Sequence, residues 1–105
     1  MDPLQTTLNR CRQVLACHYG NRLRGILLYG SSARGDAAPE SDVDLLVVLD
    51  GPVDVVAEAR HLTDLLYPVQ LECDRYVSAK AASADEYRRG RLQLYRNIQR
   101  EGVPV

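Results

Sequence analysis

The order of apolar segments predicts an α/β (α+β) fold, a small mixed β-sheet of about three strands flanked by helices. Three observations carry that expectation. Segments with helical spacing alternate with short strand-like runs. The run Leu45-Leu46-Val47-Val48-Leu49 is apolar on both faces, as a central strand covered on two sides must be. The length of 105 residues suits one domain over residues 1–105 with a single core, and no repeat, low-complexity tract or linker divides it.

Taken in order, Asp2-Pro3 reads as a helix start, a capping carboxylate followed by proline at the first helical position. Leu4, Leu8, Cys11 and Leu15 recur at helical spacing, and Gly20 closes the segment. Leu23 to Tyr29 is a short apolar strand ending on the turn Gly30-Ser31. Ser32 to Gly35 suits one helical turn, and Asp36 to Ser41 a polar loop containing Pro39. Asp42 to Leu49 is the second strand, broken by Asp50-Gly51-Pro52. Val55, Ala59, Leu62 and Leu66 mark a helix ending near Tyr67-Pro68. Val69 to Val77 alternates like a third strand, with Ser78 to Ala82 as a small-residue loop. Ser83-Ala84-Asp85-Glu86 is a capping box opening a last helix that turns Tyr87, Leu94 and Ile98 inward and stops at Gly102.

Composition excludes several classes. A net charge of −1 provides no field to attract nucleic acid or an anionic membrane. With six tyrosines and no Phe or Trp, no stacking platform accompanies the arginines of the last helix, Arg88, Arg89, Arg91, Arg96 and Arg100, which read as a solvated face, with an acidic partner surface or a nucleoside triphosphate as the alternative. Cys11, Cys17 and Cys73 match no metal spacing and read as small buried hydrophobes in a reducing compartment. The N-terminus has no secretory pattern and no apolar run is long enough to span a bilayer, so a cytoplasmic protein is expected. His18 and His61 read as solvent-facing polarity.

The chemistry concentrates in the middle of the chain. Asp42 and Asp44, two apart in a strand, point to the same side, and two such carboxylates need a compensating cation. Magnesium suits them, since it takes carboxylate oxygens, keeps several waters and shares its shell with substrate phosphates. Gly30 allows close backbone approach to phosphate, Ser31 offers an N–H and a hydroxyl, and Arg34 follows one turn later. Acids beside a phosphate-binding turn are equipment for two-metal nucleotidyl transfer, which calls for a third carboxylate. Glu72 and Asp74 share a face of the expected third strand. Alternation does not choose between them; Glu72, lying between Leu71 and Cys73, is slightly favoured.

Gly30-Ser31-Ser32-Ala33-Arg34-Gly35 followed by Ser41-Asp42-Val43-Asp44-Leu45-Leu46-Val47 resembles the signature of the minimal nucleotidyltransferases of the polymerase-beta-like superfamily. The tail from Leu94 to Gly102 is a weaker likeness. The resemblance implies the polymerase-beta-like nucleotidyltransferase fold and ATP bound through two magnesium ions. Gly30 and Ser31 would hold the outer phosphates, Asp42 and Asp44 the ions, and Glu72 or Asp74 would be the third acid. Many such proteins pair as antitoxin with a small helical HEPN toxin and add adenylyl groups to its tyrosine. The expected elements use up the chain, so an acceptor is expected from a protein partner or another subunit, in a homo- or hetero-oligomer. A non-catalytic binding antitoxin on the same fold, and a stand-alone transferase acting on a small molecule, are the alternatives.

Overall fold

The computed structural model describes residues 3–34 and 41–105. The expected Asp2 cap and the loop of Gly35 and residues 36–40 lie outside them. Helix α1 (Pro3–Tyr19) gives way at Gly20, whose φ of +55° suits glycine, to a 3-10 turn, Gly20–Arg22. Strand β1 (Leu23–Tyr29), the short α2 (Ser31–Arg34) and β2 (Val43–Leu49) follow. Helix α3 (Val55–Leu65) opens on Asp54, whose carboxylate accepts the N–H of Ala57.

Beyond α3 the chain departs from the expected course. Tyr67–Leu71 forms a further helix, α4, with Pro68 in its first turn, where a missing N–H costs nothing. Strand β3 is Val77–Ser83, eight residues later than the expected start at Val69. The Ser/Ala-rich stretch taken for a loop is therefore an edge strand, formed because it pairs with β2, apolar from Leu45 to Leu49, a tertiary preference that overrides its own weak strand propensity. The last helix is also two. The Ser83 hydroxyl caps α5 (Ala84–Arg89) by accepting the Glu86 N–H, and Gly90, at φ +63°, ends it before α6 (Gln93–Glu101). A two-residue strand, β4 (Val103–Pro104), adds to the far side of β1.

The mixed sheet has the order β3-β2-β1-β4, with β2 antiparallel to β1 and parallel to β3. Side-chain alternation on β2 then builds two apolar layers. Val43, Leu45, Val47 and Leu49 pack under α1, α3 and α4 against Leu8, Cys11, Leu15, Leu62 and Val69. Leu46 and Val48 face the other way, against Tyr95 and Ile98 of α6. Asp44 belongs to this second face and lies at its open end.

Candidate active site

Asp44 is the second residue of the central strand, opposite Tyr29 of β1 and Ser78 of β3. Asp42 stands just before the strand, exposed. Gly30, immediately after Tyr29, brings the turn directly onto Asp44. Its φ is +77°, and a Cβ there would stand 2.7 Å from Asp44 Oδ2. Any other residue would meet both backbone strain and that carboxylate. The turn is fastened to the acids from below: the Ser32 hydroxyl donates to the Asp42 carbonyl at 3.0 Å. Arg75, from the turn before β3, donates Nη2 to the Ser32 hydroxyl and Nε to the Ser41 carbonyl at 2.6 Å. The Val43 N–H donates to the Tyr76 carbonyl at 2.8 Å, which locks the same turn to the start of β2.

Burial raises the Asp44 carboxyl above its usual value of 3.8 and the neighbouring Asp42 charge raises it further, while Lys80 pulls the other way. Burial, then the charge of Asp44, pushes the Tyr29 phenol up to about 12, so it stays protonated beside the acids. Among the described residues neither carboxylate has a hydrogen-bond or ion-pair partner. This donor set fits a hard divalent cation. Two carboxylates whose mutual repulsion a cation relieves supply part of an oxygen shell, and substrate phosphates and water complete it.

Other expected members of the site are placed elsewhere. Glu72 follows α4 as its C-cap, in the layer beneath the opposite sheet face, and pairs with Arg10 of α1 at 3.2 Å, both side chains exposed. Asp74 lies in the exposed turn ahead of β3. Neither is on a strand, because the alternation read between Val69 and Val77 belongs to a helix and a turn, so the structure does not seat Glu72 beside Asp44. Arg34 Nη1 is directed to Glu101 of α6 at 3.9 Å. Ser31 begins α2 directly after Gly30, one residue ahead of the expected start at Ser32. Arg75 was not singled out from the sequence, since its importance depends on a contact to Ser32, 43 residues away.

Some expectations outside the site are also met or refined. His18 and His61 meet one another across α1 and α3, Nε2 to Nε2 at 2.7 Å. The arginines near the C-terminus are occupied locally: Arg88 and Arg89 with Asp85, Arg96 with the Gly90 carbonyl, Arg100 with Asn97. All three cysteines are free, but only Cys11 shows the expected burial, Cys73 being half-buried and Cys17 exposed on α1; burial pushes the Cys11 thiol up to about 11. Among the described residues no helix is long and apolar enough to cross a membrane.

The Gly30 turn, at positive φ, thus closes onto Asp44 at the open end of the central strand, with Asp42 just ahead of it. The chain belongs to the nucleotidyltransferase domain family, whose pattern it matches over residues 8–98, and it is a nucleotidyltransferase. It is 33% identical over 89 residues to a "putative protein adenylyltransferase" of Methanocaldococcus jannaschii, covering 84% of this chain and 83% of that one. It is 30% identical over 97 residues to the spectinomycin 9-adenylyltransferase of Enterococcus faecalis, covering 92% of this chain but only 34% of that enzyme. The fold is similar to that of a toxin-antitoxin crystallised with AMP-PNP, with a TM-score of 0.59 at 21% identity, covering 90% of this chain and 69% of the other. It is also similar to a "putative nucleotidyltransferase" from Sulfolobus solfataricus, with a TM-score of 0.55 at 18% identity, covering 97% and 84%.

Proposed function

We propose that this chain transfers AMP from magnesium-bound ATP to a tyrosine hydroxyl of a partner protein, and so acts in the cytoplasm as the antitoxin of a HEPN toxin. The observation that carries the reading is the approach of Gly30 to Asp44, which makes the phosphate-binding turn and the acid pair one surface. The protein adenylyltransferase relative supports a protein acceptor, and the toxin-antitoxin fold neighbour with its adenine nucleotide analogue supports the pairing.

Asp42 and Asp44 hold the ion, Gly30 and Ser31 hold the outer phosphates, and Tyr29 stays neutral beside them. Magnesium, when bound, neutralises charge on the phosphates during in-line displacement. The acceptor oxygen forms a bond to the α-phosphorus as the bond to the bridging oxygen breaks; pyrophosphate leaves and the hydroxyl proton passes to water. The chain's own contribution is positional, since Arg75, Ser32 and the Gly30 turn hold the acids and the phosphates in one geometry.

Intact-mass measurement tests this, with ATP, magnesium and a candidate small helical HEPN-type partner. The partner is expected to become heavier by one or more adenylyl units, and not with the Asp42→Asn/Asp44→Asn variant. Tight binding with no mass change would replace the reading with that of a binding antitoxin.

A further inference from the structure

Strand β3 runs beside β2 in unbroken parallel register, from Val43 opposite Val77 to Leu49 opposite Ser83. Ser78 therefore stands next to Asp44, and Lys80 next to Leu46, both on the face that carries Asp44. A carboxylate reaching Asp44's ion from β3 would have to come from those two positions. They hold a hydroxyl and the only lysine of the chain. On the other side, β1 sets Tyr29 opposite Asp44. Among the described residues no group of three or more His, Cys, Asp and Glu is arranged to hold a metal ion. The acid expected to complete a two-ion centre is absent from both neighbouring strands, and a cation stands on one of them.

Lys80 is exposed, and among the described residues its ammonium makes no hydrogen bond or ion pair. Its charge nevertheless reaches Asp44. Its side chain borders a cavity of about 450 Å³ on the same sheet face, walled by Leu46, Val55, Leu92 and Tyr95, with Arg60 as the second cation. A lysine held only by its own strand, two residues along the sheet face from the position beside Asp44 and open to a cavity, is placed to meet an anion bound against that carboxylate.

We propose that Lys80 stands in for a second divalent ion: the centre takes one ion, on Asp42 and Asp44, and the Lys80 ammonium contacts the nucleotide's phosphate oxygens from the β3 side. This rests on the reading of the site as one for a magnesium-bound nucleoside triphosphate, and departs from the two-ion expectation drawn from the sequence.

Equilibrium dialysis with manganese and α,β-methylene-ATP, counting ion and nucleotide bound per chain, reads it directly. One ion per bound nucleotide is expected, rising to two in Ser78→Asp; two in the unmodified chain would overturn the proposal. Lys80→Ala should weaken nucleotide binding by about tenfold with the ion count unchanged, and unchanged affinity would overturn it. Should that variant fold poorly, the unmodified chain still answers, because Lys80 carries the only side-chain amine. Reductive labelling with pyridoxal phosphate, mapped by peptide mass, should be blocked at Lys80 by saturating nucleotide with manganese, and undiminished labelling would contradict the contact. If the unmodified chain bound no nucleotide at all, the site reading itself would fall and the role of Lys80 with it.

Discussion

Gly30 and Asp44 show how little room the centre leaves. At φ +77° and with a carboxylate oxygen 2.7 Å from where a Cβ would sit, Gly30→Ala adds a left-handed penalty and a clash together. We expect it to lower stability by about 2 kcal/mol or more, seen as a drop in denaturant midpoint, and to weaken nucleotide binding as Asp44 moves aside. Asp44 itself is held at a cost to the ion-free fold. Its carboxyl is raised in the folded state by burial and by Asp42. At pH values below the ordinary carboxyl range both folded and unfolded chains are protonated there. As pH rises past 3.8, the unfolded chain loses the proton first, so this group's contribution to stability is lost as pH climbs through the folded-state titration. Asp44→Asn should therefore raise the Tm of the ion-free protein by a few degrees at neutral pH and remove that part of the pH dependence, while abolishing transfer. A Tm unchanged or lowered in that variant would contradict the electrostatic account.

At the scale of elements, the segment between α4 and β3 separates two acids from one arginine. Glu72 forms an exposed pair with Arg10, worth at most about 1 kcal/mol, so Glu72→Ala should leave transfer within about twofold of the parent. Arg75 clamps Ser32 and Ser41 from 43 and 34 residues away, and Arg75→Ala should reduce both nucleotide affinity and stability, the latter by about 1–3 kcal/mol. Steady-state transfer assays and chemical denaturation of the two variants give the comparison. The same segment shows where sequence reading succeeds. Asp42, Asp44 and Gly30 were legible because their spacing sits inside a strand-turn-strand unit whose apolar pattern is unmistakable. Strand β3 was not, since Ser78, Ala79, Ala81 and Ala82 carry no strand signal of their own and owe their conformation to pairing with β2. Val69 to Val77 mimicked alternation because Val69 faces the core from α4 while Cys73 and Val77 reach it from a turn and a strand. Gly90 splits the last helix for a local reason, a left-handed cap, that could have been read from its position after Arg88-Arg89.

At the scale of the molecule, helices cover both faces of the sheet, and the apolar side chains of β2 are shared between two packed layers. This leaves the end of β2 that carries Asp42 and Asp44 as the place where polar chemistry is exposed. The fold class was legible from the order of elements, while the fourth strand was not, because two residues give no periodicity. The central claim is nucleotidyl transfer from that end of the sheet, and the direct measurement follows the fate of each phosphate. Purified chain and partner are incubated with magnesium and ATP labelled at either the α- or the γ-phosphate, and the label retained on protein is counted. The account predicts α-label on the partner, γ-label only in released pyrophosphate, and neither with Asp42→Asn/Asp44→Asn. Retained γ-label, or no label on a partner that nonetheless binds tightly, would contradict it.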